Sequence, residues 1–406
     1  MAVRAAVSLC SRQKKGMLTM KTALTYFRHF LAVLLVLAVP VVGIGLWSGA
    51  DAYYESTTAY KAADEGPHVF QQDGQWLAHT LRGDRDEGFW VEARHHPQTA
   101  PFQFEVIFPL DDSRFLVQAS PEFATPPTRY QDGQPILAIS DIEGNYRTFR
   151  DFLINAKVID NDMNWTFGKG HLVLVGDFVD RGPSTTQVLW FIYKLEQSAK
   201  PHGGRVHYLL GNHEIKNLQG DFQAAHKKYF NVAAILGKPQ SELFGDNAFL
   251  GRWLMSKNTV EVINGTLFVH GGLHPALAER SYTLDDLNRI VRAQYRRIWF
   301  PKRHAGDEDL LLNTKTGPSW YRGYFKDDLT QAQIERTLAK FGATAVVVGH
   351  TPNSRVKALY DKKVFAIDVK HPGDYRIVFP PRRSEGLLLD GSAAWRVLDD
   401  GSRVEL

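Results

Sequence analysis

The stretch LVLVGDFVDRG, Leu172 to Gly182, decides how this chain folds. Four apolar residues in a row, Leu172 to Val175, predict a strand buried on both faces. Gly176 lets the chain turn and presents Asp177, Asp180 and Arg181 on one short loop at the strand's end, where α/β sheets bind ligands. A carboxylate able to bridge two cations then stands beside a guanidinium shaped to grip a phosphoryl group. A structural Asp/Arg pair capping the strand would use the same residues, because GD and DRG are common turn chemistry. The loop acquires meaning only from what accompanies it.

The accompaniment comes from other strand ends. ILAIS runs to Asp141-Ile142-Glu143-Gly144, RVHYLL to Asn212-His213-Glu214, TLFVH to His270-Gly271-Gly272, and ATAVVVG to His350-Thr351. With Asp177 these make five buried-type strands that end in residues able to hold a metal. A lone histidine is more often a satisfied buried residue than a ligand, but five coincident strand ends reverse that expectation. Between them, Asn145 is a candidate N-cap for NYRTFRDFLINA, and TTQVLWFIYKLEQ is predicted as a helix. VFAID, EGLLLDG and AAWRVL are predicted as further strands. Residues 274 to 340 read as irregular or helical.

Composition bounds the rest. At 406 residues the chain can form one large domain with appendages, or two, at the usual ~100–200 residues per domain. The formal charge is +4, from 48 basic and 44 acidic residues. Six of the basic residues, Arg4, Arg12, Lys14, Lys15, Lys21 and Arg28, precede residue 30, where there is no acid; the remaining 42 face 44 acids. A body near neutrality implies no nucleic-acid partner.

Phe30 to Trp47 is an uncharged, mostly apolar run, just short of the ~20 residues that span a bilayer as a helix. Positive residues before it predict an N-terminus in the cytoplasm and a body translocated outward, as a single-pass inner-membrane protein. Ala50-Asp51-Ala52 offers a small-x-small cleavage site, so a secreted or periplasmic product after signal cleavage is the alternative. The single cysteine, Cys10, precedes the run, so the body has no disulfide and any metal there is held by oxygen and imidazole.

The expected organisation is a basic segment over 1–29, an anchor or signal over 30–49, a tether over 50–66, a small antiparallel β-unit with linker over 67–130, and a main domain over 131–406. The β-unit turns at Asp73-Gly74. His95 and His96, before Pro97, read as a solvated turn. PEFATPPTRYQDGQP, with four prolines, reads as the linker.

The ordered set DIEG, GDFVDRG, GNHE, HGG and GHT resembles the calcineurin-like metallophosphoesterases. GDFVDRG with LLGNHE points to their phosphoprotein phosphatase branch. GNHEIKNLQGD (Gly211 to Asp221) and GPSWYRGY (Gly317 to Tyr324) resemble the bacterial Shewanella-like protein phosphatases, over about residues 136 to 370. The resemblance implies a four-layer αββα sandwich of two mixed sheets and a phosphatase with two divalent metals. It implies that Asp141 and Asp177 hold the first metal, while Asp177, Asn212, His270 and His350 hold the second. Two cations ~3.5–4 Å apart would share a hydroxide nucleophile. Arg181, Arg322 and Asn212 would bind the phosphoryl oxygens, and His213, oriented by Asp180, would protonate the leaving group.

One position departs from the family pattern: Glu143 stands where the family has His. Glu reaches as far and can ligate, which makes the first site all oxygen (Asp141, Glu143, Asp177) and favours Mn²⁺ or Mg²⁺ there, with Fe or Zn²⁺ open at the second site. A one-metal or inactive site is the contrary possibility. Phosphorylated proteins are the implied substrate. Small phosphate esters such as nucleotides or sugar phosphates are the alternative, and a membrane-tethered phosphate-binding module without hydrolysis is a third. Glu214 is expected to support the loop and Trp320 to pack behind Arg322; His171, His202, His207, His226 and His304 are expected to be structural or solvated. Phosphoserine, phosphothreonine and phosphotyrosine are not distinguished by the sequence, and neither is oligomeric state.

Overall fold

The computed structural model describes residues 2–48, 50–304, 306–326 and 329–406. Side chains before residue 20 lie outside the described set, and with them Cys10 and the basic residues Arg4, Arg12, Lys14 and Lys15. The chain divides into two compact units, one running up to Tyr53 with Val378–Pro380, the other comprising Tyr54–Ile377 and Pro381–Leu406.

The first unit is dominated by a single helix, Ala2–Trp47, which continues through the basic segment instead of starting at the apolar run. Its stretch Met20–Gly45 contains an 18-residue window of mean hydropathy 2.2 and is long and apolar enough to cross a membrane. Leu34, Leu35, Val36 and Leu37 are all exposed.

Two six-stranded sheets form the second unit. In the first, the order is Arg205–Leu209, His171–Val175, Ile136–Ile139, Glu385–Asp390, Ala393–Leu398 and Arg403–Glu405, with the first three strands parallel. In the second, Lys357–Leu359, Val364–Ala366, Ala345–Val348, Thr266–Val269, Val260–Ile263 and Arg129–Tyr130 pair in a mixed pattern. The last of these strands lies within the stretch expected as linker; its register with Val262 and Ile263 gives that stretch a sheet edge to join.

Burial on both faces of the parallel strands explains their unbroken apolar runs. Ile136, Ala138, Val173 and Val175 cluster with Phe268, Val347 and Phe365 of the second sheet. The alternate residues Leu137, Ile139, Leu172 and Leu174 join a larger core that includes Phe149 and Phe152 of helix Tyr146–Asn155 and Phe191 of helix Thr185–Ala199. Val346 and Val348 share that larger core with Ile334 and Leu338 of helix Gln331–Lys340. The layers are therefore helix, sheet, sheet, helix.

The preceding hairpins, expected as a unit of their own, share this core. His68–Gln72, Gln75–Asp84 and Gly88–Pro97 form a three-stranded sheet whose first turn is at Asp73 and Gly74, both at positive φ as a tight hairpin requires. Phe102–Phe108 and Ser113–Ala119 form a second hairpin. Trp76 packs on Phe249 and Phe104 on Trp190, with ring centroids 5.4 and 4.7 Å apart. His95 and His96 belong to a strand, not a turn: His96 stacks on Phe102 at 4.5 Å, so hairpin pairing overrides the local effect of Pro97.

Candidate metal centre

The parallel strands carry their functional residues at one edge. Asp141 follows Ile136–Ile139, Asp177 follows His171–Val175, and Asn212 and His213 open helix Asn212–Gln219 after Arg205–Leu209. From the second sheet come His270, after Thr266–Val269, and His350, after Ala345–Val348. Backbone bonds stitch the turns together: Asp141 N donates to Gly176 O at 3.0 Å, Glu143 N to Asp177 O at 3.0 Å, and Gly349 N to His270 O at 2.9 Å.

These turns are strained. Asp141, Glu143, Asp177, Asp180, Arg181 and His350 all have φ between 53° and 68°, a region costly for side-chain-bearing residues and concentrated at functional sites. Gly176, at φ +78°, could not carry a side chain: a Cβ there would lie 2.6 Å from Gly211 Cα and 2.7 Å from His270 Nδ1.

Asp177 is the hub. Among the described residues, Asp177, His270 and His350 offer ligand atoms that all lie within 4.8 Å of one another, and all three are buried. His270 donates from Nδ1 to Val175 O at 2.7 Å, which leaves Nε2 facing Asp177 Oδ2 at 3.0 Å and Asn212 Oδ1 at 3.2 Å. His350 Nε2 bonds Trp320 O at 3.0 Å, so Nδ1 is the nitrogen turned toward the site. Asp141 Oδ2 accepts from His350 N at 3.2 Å. The four residues expected at the second metal are thus brought together, with Asp141 beside them.

The electrostatics of this cluster call for a cation. Burial pushes Asp141 well above the usual carboxylate range, and neighbouring Asp368 and Asp177 push it further. Burial would also raise Asp177, but His270 and His213 hold it below that range. Burial opposes charge on His270, yet Asp177 and Asp141 keep its pKa up at about 10. Burial, then the charge on His270, drives His350 down to about 2. Carboxylate oxygens, an amide oxygen and two imidazoles converging in a buried pocket fit divalent cations, whose charge would relieve the repulsion.

Around the hub, His213 Nδ1 bonds Asp180 Oδ2 at 2.7 Å, and Asn217 donates to Asp180 Oδ1 at 2.7 Å. His213 Nε2 lies 3.8 Å from Asp177 Oδ2 and 3.4 Å from Arg181 Nη2. Glu214 accepts from the backbone of Asp177, Phe178 and Gly211 at 2.7–2.9 Å and from Tyr208 OH at 2.9 Å, so one buried carboxylate braces two loops. Arg322 donates to His350 O and, at 3.1 Å, to Thr351 Oγ1. Glu143 turns its carboxylate to Arg181 and forms an ion pair with it. A cleft of about 480 Å³ opens beside Asn212, Arg322 and His350 and is lined also by Lys216, Lys315, Lys326 and Trp320.

Two features escaped the sequence. Asp368, which ends VFAID, is 4% exposed and feels Asp177, His270, Arg181 and Arg322; the signal was present, since a buried strand ends there in a carboxylate like the others. His171 and His207 are structural as expected, but they form a buried chain in which His171 bonds His207 at 2.8 Å, Asp132 takes the outer end at 3.0 Å and Glu261 the inner at 2.7 Å.

Comparison with known proteins agrees with this geometry. Residues 134–354 match the family model described as calcineurin-like phosphoesterase. An uncharacterised protein of Schizosaccharomyces pombe is 32% identical over 229 residues, 53% of this chain and 67% of its own length. Shewanella-like protein phosphatase 2 of Arabidopsis thaliana is 27% identical over 299 residues, 60% of this chain and 72% of its own. The crystal structure of the cold-active protein-tyrosine phosphatase of a psychrophile Shewanella species superposes with a TM-score of 0.69 at 32% identity, covering 84% of this chain and 99% of that one. This chain belongs to the calcineurin-like phosphoesterase family, with the Shewanella-like protein phosphatases among its relatives.

Proposed function

We propose that this chain hydrolyses phosphate monoesters on protein side chains, using divalent cations held at the strand ends and His213 as the general acid. The observation that carries the reading is the orientation of His213. Asp180, itself anchored by Asn217, holds Nδ1–H at 2.7 Å, so Nε2 is the nitrogen aimed at the cluster around Asp177. An imidazole in this arrangement keeps its tautomer and can pass the Nε2 proton to a departing ester oxygen. A protein that only bound phosphate would gain nothing from it.

Cations bound by Asp141, Asp177, Asn212, His270 and His350 would polarise the phosphoryl oxygens and supply a water nucleophile near neutral pH. An oxygen-rich first position favours Mn²⁺, with Fe or Zn²⁺ suited to the imidazole-bearing second. Arg181 and Arg322 flank the cluster and offer paired N–H groups to the phosphoryl oxygens as charge develops. Asn212 can add one further donor. Relatives named as protein phosphatases support a phosphoprotein substrate. Lys216, Lys315 and Lys326 in the adjoining cleft suit acidic residues beside the phosphorylated one. The apolar helix supports an inner-membrane anchor with the body outside the cytoplasm.

Turnover of para-nitrophenyl phosphate with added Mn²⁺, then of phosphotyrosine and phosphoserine peptides against nucleotides, tests the reading. Asp177→Asn and His213→Asn are expected to lower kcat by about 10²–10⁴. Variants as active as the unmodified chain would sink it. Preference for nucleotides would move the substrate to small phosphate esters, and phosphate binding without turnover would leave a tethered binding module.

A further inference from the structure

The turn that aims Arg181 is held in a costly conformation. Asp180 and Arg181 both lie at positive φ, 68° and 55°, and such a backbone persists only where its surroundings over-determine it. Two loops do so here. Arg181 N donates to Ala224 O at 2.9 Å, and Gly182 N donates to Glu143 O at 2.9 Å. The turn is therefore fixed by carbonyls on two segments far apart in the chain.

Both segments lead to one short stretch, Glu55 to Tyr60, which falls within the region expected as a tether. On one side, His226, two residues after Ala224, is 6% exposed, and its ring lies 4.8 Å from that of Tyr60. On the other, Asn145 donates from Nδ2 to Glu143 O at 3.1 Å and accepts at Oδ1 from Asp374 N at 3.0 Å. The residues after Asp374 reach the stretch directly. Tyr375 O accepts from Ser56 N at 2.9 Å, and Arg376 Nε donates to Glu55 Oε1 at 2.6 Å.

Glu55 joins the two sides. Ser56 caps the single 3-10 turn Thr57–Tyr60, and Tyr60 OH donates back to Glu55 Oε2 at 2.8 Å. The Glu55 side chain is 13% exposed, so one carboxylate largely withdrawn from water binds the ring that packs on His226 and the guanidinium that follows Asp374. Charge-assisted bonds of this kind are short and roughly twice as strong as neutral ones.

We propose that Glu55 and Tyr60 are positioning residues for Arg181: they brace the His226 and Asn145 loops together, and with them the strained turn that presents the guanidinium to a phosphoryl group. The assignment rests on the phosphatase reading above and adds a remote support to it. Neither residue touches substrate; each acts through the two carbonyls that hold the backbone of Arg181 and Gly182.

The test uses the full chain in detergent with Mn²⁺. Glu55→Gln and Tyr60→Ala should lower kcat/KM for para-nitrophenyl phosphate, by up to about 10²-fold, the cost of misplacing a binding group by ~1 Å. Tyr60→Phe, which keeps the ring over His226, should lose less than Tyr60→Ala. In an Arg181→Ala background Glu55→Gln should have no further effect, because residues acting through one group are not additive. Hydrogen exchange supplies a readout without turnover: amides over 178–184 should exchange about tenfold faster in Glu55→Gln and Tyr60→Ala, with those of strand His171–Val175 unchanged. If Glu55→Gln does not fold, Tyr60→Ala carries the same two measurements at a residue that is 43% exposed. Equal losses with and without Arg181, or unaltered protection over 178–184, overturns the assignment. An unmodified chain without turnover refutes the phosphatase reading and the catalytic half of this proposal, while exchange still decides the brace.

Discussion

At Asp177 a single side chain serves several neighbours: Oδ2 faces His270, and Oδ1 accepts from the backbone of His213 at 3.0 Å. His270 and the start of helix Asn212–Gln219 are thus locked to one carboxylate, and the turn before it admits only glycine because a Cβ at Gly176 would meet Gly211 and His270. Gly176→Ala is expected to lower stability by about 1–3 kcal/mol or more, from positive φ together with the clash against Gly211. Urea unfolding measures it, and an unchanged midpoint would contradict the packing argument. On the proposed reading, Asp180 would act one step away from the reacting atoms, through its bond to His213. Asp180→Asn should lower kcat by about 10²–10⁴ with little change in KM, because substrate is still bound while the imidazole loses its orientation and its charge support. The loss should be largest for substrates with poor leaving groups; an equal loss for para-nitrophenyl phosphate and alkyl phosphates would argue against an acid role for His213.

Between elements, the most informative contact joins the N-terminal segment to the helices of the main body. Glu65, 1% exposed, pairs with Lys228 Nζ at 2.7 Å and accepts from Gln187 Nε2 at 3.2 Å, and it also accepts from Thr186. Burial would raise Glu65, but Lys228 and His68 hold it far below the usual carboxylate range. A carboxylate depressed on folding stabilises the protein above its unfolded pKa, and that contribution is lost as pH falls below about 4.5 toward the folded value. Glu65→Gln leaves the Lys228 ammonium buried without a counter-charge and should cost about 3–5 kcal/mol. Unfolding of Glu65→Gln at pH 7 checks the magnitude; a loss under 1 kcal/mol would mean the pair is dispensable and the hairpins are held by Trp76, Phe104 and Trp190 alone.

For the whole molecule, the division into units predicts that the chain shortened to residues 50–406 keeps the melting temperature of the body and its Mn²⁺ uptake. The shortened chain should no longer sediment with lipid vesicles, whereas the full chain should. Co-sedimentation of both would remove the helix as the anchor. Acid sensitivity is also built in. Burial pushes His371 down to about 4, where it donates to Ser140 O at 2.9 Å and meets Ser384 Oγ at 3.1 Å. His226 is lowered to about 4 by the same cause. A histidine kept neutral by the fold is protonated first in the unfolded chain, so stability falls as pH drops from about 6.5 to about 4. The full shift at His371 corresponds to on the order of 3 kcal/mol. Denaturant curves at pH 7, 5.5 and 4.5 for the unmodified chain and His371→Gln should diverge in slope against pH.

The sequence alone determined the parallel strands and the loops at their ends. A strand buried on both faces must be apolar throughout, as LVLVG and ATAVVVG are, and a turn that closes over a neighbouring backbone must be glycine, as Gly176 is. The polar residues at the strand ends were legible for the same reason, since Asp141, Asp177, Asn212, His270 and His350 each follow an apolar run. Tertiary structure decided what depends on partners distant in the chain. His96 pairs as a strand residue because Trp76 of the neighbouring strand stands opposite it, and the supposed linker yields a strand because Val262 offers an edge. The Glu143 carboxylate faces Arg181, and Asp368 is buried within electrostatic reach of Asp141, because contacts between segments far apart in the chain, which no local pattern encodes, set which charges meet.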